Sequence, residues 1–191
     1  MKKFVRIITL APIMAFLALT ILYLVKPYVF RGQYNYIITI VFLTIFPLLA
    51  YPLQPFIPSF KDQGRDGQRR LAIVAAVVGY VLGIVYAVAF SHSSDLLLIY
   101  LMYLVSGLVI LVTNKIIKIK ASGHACGVVG PVVYLWHFIR RWAALGGVFL
   151  VAVYWASLKM KRHTWAELAL GSIIPIFAFY VSNILLYVIN I

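Results

Sequence analysis

Seven apolar stretches alternate with short polar gaps along the chain. They run over about Ile7–Val25, Tyr36–Ile57, Leu71–Phe90, Leu96–Thr113, Ala125–Phe138, Trp142–Leu158 and Ala166–Ile189. A helix needs about 20 apolar residues to cross the hydrocarbon of a bilayer, and most of these stretches come near that length. None alternates with a period of two, so no strand is predicted. In lipid a helix is the open-chain structure that satisfies its own backbone. The pattern therefore predicts an all-α integral membrane protein, a compact bundle of six or seven transmembrane helices in a single domain over 1–191. The fifth stretch leaves the count open. It is short and holds Gly127, Gly130 and Pro131, so it reads either as a span or as a core helix that never meets lipid. Pro47, Pro52, Pro55 and Pro58 close the second stretch and predict a kink or fraying there. The first stretch follows Met1-Lys-Lys-Phe-Val-Arg6, as in a secretion signal. It is too long for a signal core and has no small-x-small cleavage site, so it reads as a retained first helix.

Composition agrees with that pattern. Of the 191 residues 64% are apolar or aromatic and 11% are charged, and the mean hydropathy is +1.02. A soluble domain lacks the polar surface to cover so much apolar area. A net charge of +13 would point to nucleic acid in a soluble protein. Here the cations sit in the gaps between apolar runs, where they act as topology signals and headgroup contacts, so no nucleic-acid partner is expected. If the fifth stretch spans or forms a hairpin with the sixth, counting crossings brings the N-terminus and the gaps Lys61–Arg70, Asn114–His124 and Lys159–His163 to one face. That face collects 13 of the 17 Lys and Arg. The positive-inside rule then places it in the cytoplasm of a multi-pass cell-membrane protein. Four acidic residues and four histidines argue against a polynuclear metal site, and no metal or cofactor is expected. Cys126 is the single cysteine, so no intramolecular disulfide forms.

The candidate chemistry lies in those gaps. In Lys159-Met-Lys-Arg-His-Thr-Trp-Ala-Glu167 a histidine precedes a carboxylate by four residues, one helical turn. Glu167 can then fix the tautomer of His163 and stabilise the charge that appears when the imidazole attacks. Glu167 also reads as a first-turn acid favoured by the helix dipole. Lys120-Ala-Ser-Gly-His124 places a second histidine at another helix start. Backbone N–H groups and the dipole at such starts suit a phosphate. Two histidines, two helix starts and a set of cations can transfer a phosphoryl group: one histidine attacks in line, the other protonates the leaving oxygen, and cations hold the equatorial oxygens. Lys115 and Lys118 read as topology anchors, as does Arg140-Arg141 on the other face. His92 and His137 receive no role. A transporter would need ionisable groups at mid-membrane depth, and stretches one to four and seven hold almost none.

In this order the basic gap, Ser122-Gly123-His124 and His163-x-x-x-Glu167 before a terminal apolar helix resemble the type 2 phosphatidic acid phosphatase superfamily. The resemblance covers the chain from about Lys61 to the end. It implies a phosphatase-like core over 59–191, with the two helices of 1–58 outside it. The superfamily motifs are Lys-x6-Arg-Pro, Pro-Ser-Gly-His and Ser-Arg-x5-His-x-x-x-Asp. This chain has Ala121 for the proline of the second motif and Glu167 for the aspartate of the third. Lys61 and Arg69 are one residue further apart, and Arg70 replaces the proline. Ala156-Ser157 stands where Ser-Arg is usual, leaving Lys159, Lys161, Arg162 or Lys120 to supply that charge. The resemblance implies His163 as nucleophile, Glu167 as its orienting carboxylate and His124 as general acid. It implies Lys61, Arg69, Lys120, Ser122 and Gly123 as phosphate-binding residues, with Arg70, Lys159 and Arg162 as further candidates. The implied partner is a phosphorylated lipid in the bilayer: a polyprenyl diphosphate first, then phosphatidic acid or phosphatidylglycerol phosphate. A degenerate member that binds or scaffolds anionic lipid without turnover is the alternative.

Overall fold

The computed structural model describes residues 10–140, 146–160 and 163–189. No strand occurs among the described residues, and seven helical rods follow one another. They are α1 (Ala11–Val25), α2 (Gln33–Phe56), α3 (Lys61–Ser91), α4 (Ser94–Lys115), α5 (Gly123–Ile139), α6 (Gly146–Lys159) and α7 (Trp165–Ile189). Four of them, α2, α3, α4 and α7, are long and apolar enough to cross a membrane, while α1, α5 and α6 are shorter apolar helices. The expected starts of the first and sixth stretches, at Ile7 and Trp142, lie outside the described residues.

Local chemistry explains where the rods begin and bend. The Ser93 side chain accepts the Leu96 N–H at 3.2 Å and caps α4, with Asp95 in the first turn facing the positive end of the dipole. Within α2 the winding loosens into a π segment over Val41–Ile45, where the Phe46 N–H reaches back to the Val41 carbonyl. Pro47 comes next and has no N–H to give, so the ladder slips by one acceptor. The rod nevertheless continues through Pro47 and Pro52 and tightens into a 3-10 turn at Gln54–Phe56. The prolines thus change its winding without ending it. The polar gap Lys61–Arg70 is largely helical, because α3 begins with a turn at Lys61–Gln63 and runs on from Gly64.

At the centre, α7 packs along α4 and α5, and α5 also meets α1 and α6. Ten of the 17 residues of α5 are buried, among them Val128, Tyr134 and Phe138, which identifies the fifth stretch as the core helix of the bundle. Gly127 lets the α1 backbone come close, since a Cβ there would run into Ala11. On the other side α3 lies between α2 and α4. Gly83 sits under the Tyr100 ring and Gly107 beside Tyr80, which sets α3 antiparallel to α4 and brings its Lys61–Arg70 end level with Lys115. At the opposite end Ser93 Oγ donates to the Val29 carbonyl at 2.7 Å, tying the α1–α2 turn to the α3–α4 turn. Large apolar side chains line the outside, with Leu24 75% and Phe90 73% exposed. That surface suits lipid and would be unstable in water.

Candidate functional site

The site grows from two capped helix starts held against each other. Ser122 is fully buried and caps α5: its Oγ accepts the Ala125 N–H at 3.3 Å. Thr164 caps α7 in the same way, accepting the Glu167 N–H at 3.3 Å. The two starts are then joined directly, because the Ser122 N–H donates to the Glu167 backbone carbonyl at 2.9 Å. Gly171, one turn further along α7, makes this approach possible. A Cβ on it would lie 3.0 Å from the Ser122 carbonyl carbon and 3.1 Å from its nitrogen, and closer still to its oxygen.

Asn114, at the end of α4, shapes the loop that delivers Ser122. Its Oδ1 accepts the Ala121 N–H at 2.7 Å and its Nδ2 donates to the Ala121 carbonyl at 3.3 Å. Lys118 turns the loop with a left-handed φ of 61°. Lys120 is thereby carried to the start of α7, where its ammonium lies 3.3 Å from Glu167 Oε2.

On the other side of that oxygen stands His163. Its Nδ1 is 2.6 Å from Glu167 Oε2, the ring lying against the first turn of α7 from just before the Thr164 cap. One carboxylate oxygen therefore serves an imidazole and an ammonium together. With the proton on Nδ1, the Nε2 lone pair is available to an electrophile. The His163 and Glu167 side chains are 23% and 18% exposed, and Lys120 is 62% exposed, so the cluster lies open at one end of the bundle. A Cβ at Gly123 would meet nothing within 4 Å, so there is room in front of the α5 start. His124 follows in the first turn of that helix and is half-buried.

The expected site residues thus fall into two groups. His163, Glu167 and Lys120 are in contact, with Ser122 joined through the backbone and Gly123 and His124 beside it. Lys61, Arg69 and Arg70 are exposed at the start of α3, and Arg70 Nη1 donates to Gln63 Oε1 at 3.5 Å. Among the described residues no hydrogen bond or ion pair joins these three to the cluster. Lys159 is exposed at the end of α6 with its ammonium 5.0 Å from the centre of the Trp155 ring. Ser157 is buried within α6. Arg162 and Lys161 lie outside the described residues.

Sequence reasoning missed Asn114, Thr164 and Gly171. Thr164 carried a readable signal, a cap three residues before an acid. Gly171 lies four residues beyond Glu167 and hence on its face, which hinted at a close neighbour. Asn114 carried none, because its partner is set by the path of the loop. Among the described residues no three His, Cys, Asp or Glu side chains converge as metal ligands. Compared with protein-family models, curated proteins and solved structures, the chain matches none.

Proposed function

We propose that the chain is a metal-independent lipid phosphatase of the type 2 phosphatidic acid phosphatase kind, working through a phosphohistidine in a multi-pass cell-membrane protein with its site on the cytoplasmic face. The reading rests above all on the 2.6 Å contact of His163 Nδ1 with Glu167 Oε2, in a cluster whose α7 start is bonded to the Ser122-Gly123-His124 turn. In this reaction the Nε2 lone pair of His163 attacks phosphorus. The N–P bond forms as the P–O bond to the lipid breaks, and His124 as imidazolium protonates the leaving oxygen. Glu167 stabilises the developing charge on His163. Lys120 and the N–H groups of the α5 start stabilise the phosphoryl oxygens. Water then attacks the phosphohistidine while neutral His124 takes its proton. The N–P electron pair returns to His163 and inorganic phosphate departs.

The substrate class is a lipid phosphate or diphosphate, with a polyprenyl diphosphate preferred and phosphatidic acid or phosphatidylglycerol phosphate next. Purified protein is expected to release phosphate from one of these lipids in the presence of EDTA. His163→Ala and His124→Ala should each lower the rate by at least about 100-fold, the scale of a lost acid–base group. Full activity in either variant refutes the assignment.

One observation favours a second reading. Ser157, where the superfamily carries an arginine, is buried in α6, so no guanidinium fork comes from that position. A protein that holds anionic lipid without hydrolysing it would need none. Lipid binding with no turnover on any phosphorylated lipid would select this alternative.

A further inference from the structure

A cavity of about 720 Å³ opens between α6 and the start of α7. Leu150, Val151 and Leu158 supply its aliphatic wall, and Tyr154, Trp155 and Trp165 its aromatic wall. Its base is pinned where Tyr154 OH and Ser172 Oγ share a hydrogen bond of 2.9 Å between the two helices. The open side is formed by Val151 and Trp165, 70% and 67% exposed. Both stand on strongly apolar helices, which suits a side open to hydrocarbon.

Among the described residues the single charge in the lining is Lys159, at the C-terminal end of α6. From Leu150 to Lys159 the slot follows α6 for about 13 Å at 1.5 Å per residue. Lys159 lays its stem along this apolar wall, and the Trp155 ring holds its ammonium at 5.0 Å. An apolar slot with the Lys159 cation at one end matches the amphipathy of a lipid. The size lies within the range of known small-molecule sites.

We propose that this slot holds the hydrocarbon chain of a membrane lipid whose anionic phosphate headgroup meets Lys159, placing the lipid beside His163. The identity of the occupant rests on the phosphatase reading above. Burial of the chain explains why α6 and α7 are splayed here although they are neighbours in sequence. Lys159 selects anionic over zwitterionic headgroups, and the slot accepts either tail.

Two of the chain's four tryptophans, Trp155 and Trp165, line the slot, so its occupancy can be read directly. In a Trp136→Phe/Trp142→Phe background, quenching of the remaining fluorescence is titrated with phosphatidic acid or phosphatidylcholine carrying brominated chains, in mixed micelles. Brominated phosphatidic acid is expected to half-quench at about fivefold lower mole fraction, the scale of one lysine at an anionic surface. Lys159→Gln should abolish that preference and Lys159→Arg keep it. Leu150→Phe, which fills the slot, should weaken quenching by both lipids. Equal quenching by the two lipids, or a preference that survives Lys159→Gln, overturns the proposal. Phosphate release is followed in parallel. Selective quenching without release from phosphatidic acid, phosphatidylglycerol phosphate or a polyprenyl diphosphate leaves the slot standing and rejects the phosphatase, while release without selective quenching does the reverse.

Discussion

Replacing Gly171 by alanine tests the join on which the site depends. A Cβ at this position would stand 3.0 Å from the Ser122 carbonyl carbon and 3.1 Å from its nitrogen, and would press into its oxygen. The obstacle is backbone inside a capped helix start, so it cannot rotate aside. The α7 start must retreat from the α5 start. Overpacking of this kind costs about 1–3 kcal/mol. The retreat also stretches the Ser122 N–H to Glu167 carbonyl bond, worth about 0.5–1.5 kcal/mol. Alanine's better helix propensity returns about 1 kcal/mol. The balance is a loss of about 0.5–3.5 kcal/mol. Activity should suffer more, because a 1 Å displacement of positioned groups can cost about 100-fold in rate. Gly123→Ala is the control, since a Cβ there meets nothing within 4 Å. It should unfold no more readily than the parent. Denaturant unfolding in detergent, with phosphate release measured on the same samples, reads both effects. Gly171→Ala with parental stability and parental turnover would refute the close packing of the two helix starts.

Other outcomes follow from the same geometry. Lys120→Met should lower phosphate release, with Lys120→Arg recovering part of it. Its effect on stability should stay within about 1 kcal/mol, because the ammonium is mostly exposed. Equal turnover in Lys120→Met and the parent would remove Lys120 from the site. Sidedness can be read by labelling single cysteines introduced as Arg141→Cys or Arg162→Cys in a Cys126→Ala chain. A membrane-impermeant reagent outside the cell should reach position 141 and not 162, and equal labelling would contradict a cytoplasmic site.

Much of the molecule is a local consequence of its sequence. Helices follow from apolar runs long enough to bury their backbone bonds within themselves, and this needs no knowledge of neighbours. The His163–Glu167 contact joins residues close in the chain, but His163 precedes the Thr164 cap, so it depends on how the chain enters α7 as well as on the spacing. The short fifth stretch carried both readings, span or core, because periodicity cannot say what surrounds a helix. Its packing among α1, α4, α6 and α7 shows a helix with most of its residues buried in the core. The polar stretch at Lys61–Arg70 looked like a gap because its residues are hydrophilic, yet polarity reports exposure, and an exposed helical turn is as polar as a loop.

The site itself needed the tertiary structure. Nothing local places Lys120 on the same carboxylate oxygen as His163, or the Ser122 N–H on the Glu167 carbonyl. Those contacts join residues far apart in the chain and depend on the path from Asn114 and on the space left by Gly171. The gap at Ser157 was visible in the sequence as a missing arginine, with several cations able to fill it. The fold places two of them: Lys120 touches the cluster and Lys159 lies over the Trp155 ring, while Lys161 and Arg162 lie outside the described residues. Sequence alone sets what each segment can be, because hydropathy and helical spacing act over a few residues. Which side chains share a site is decided by packing, because that energy depends on distance in space and not along the chain.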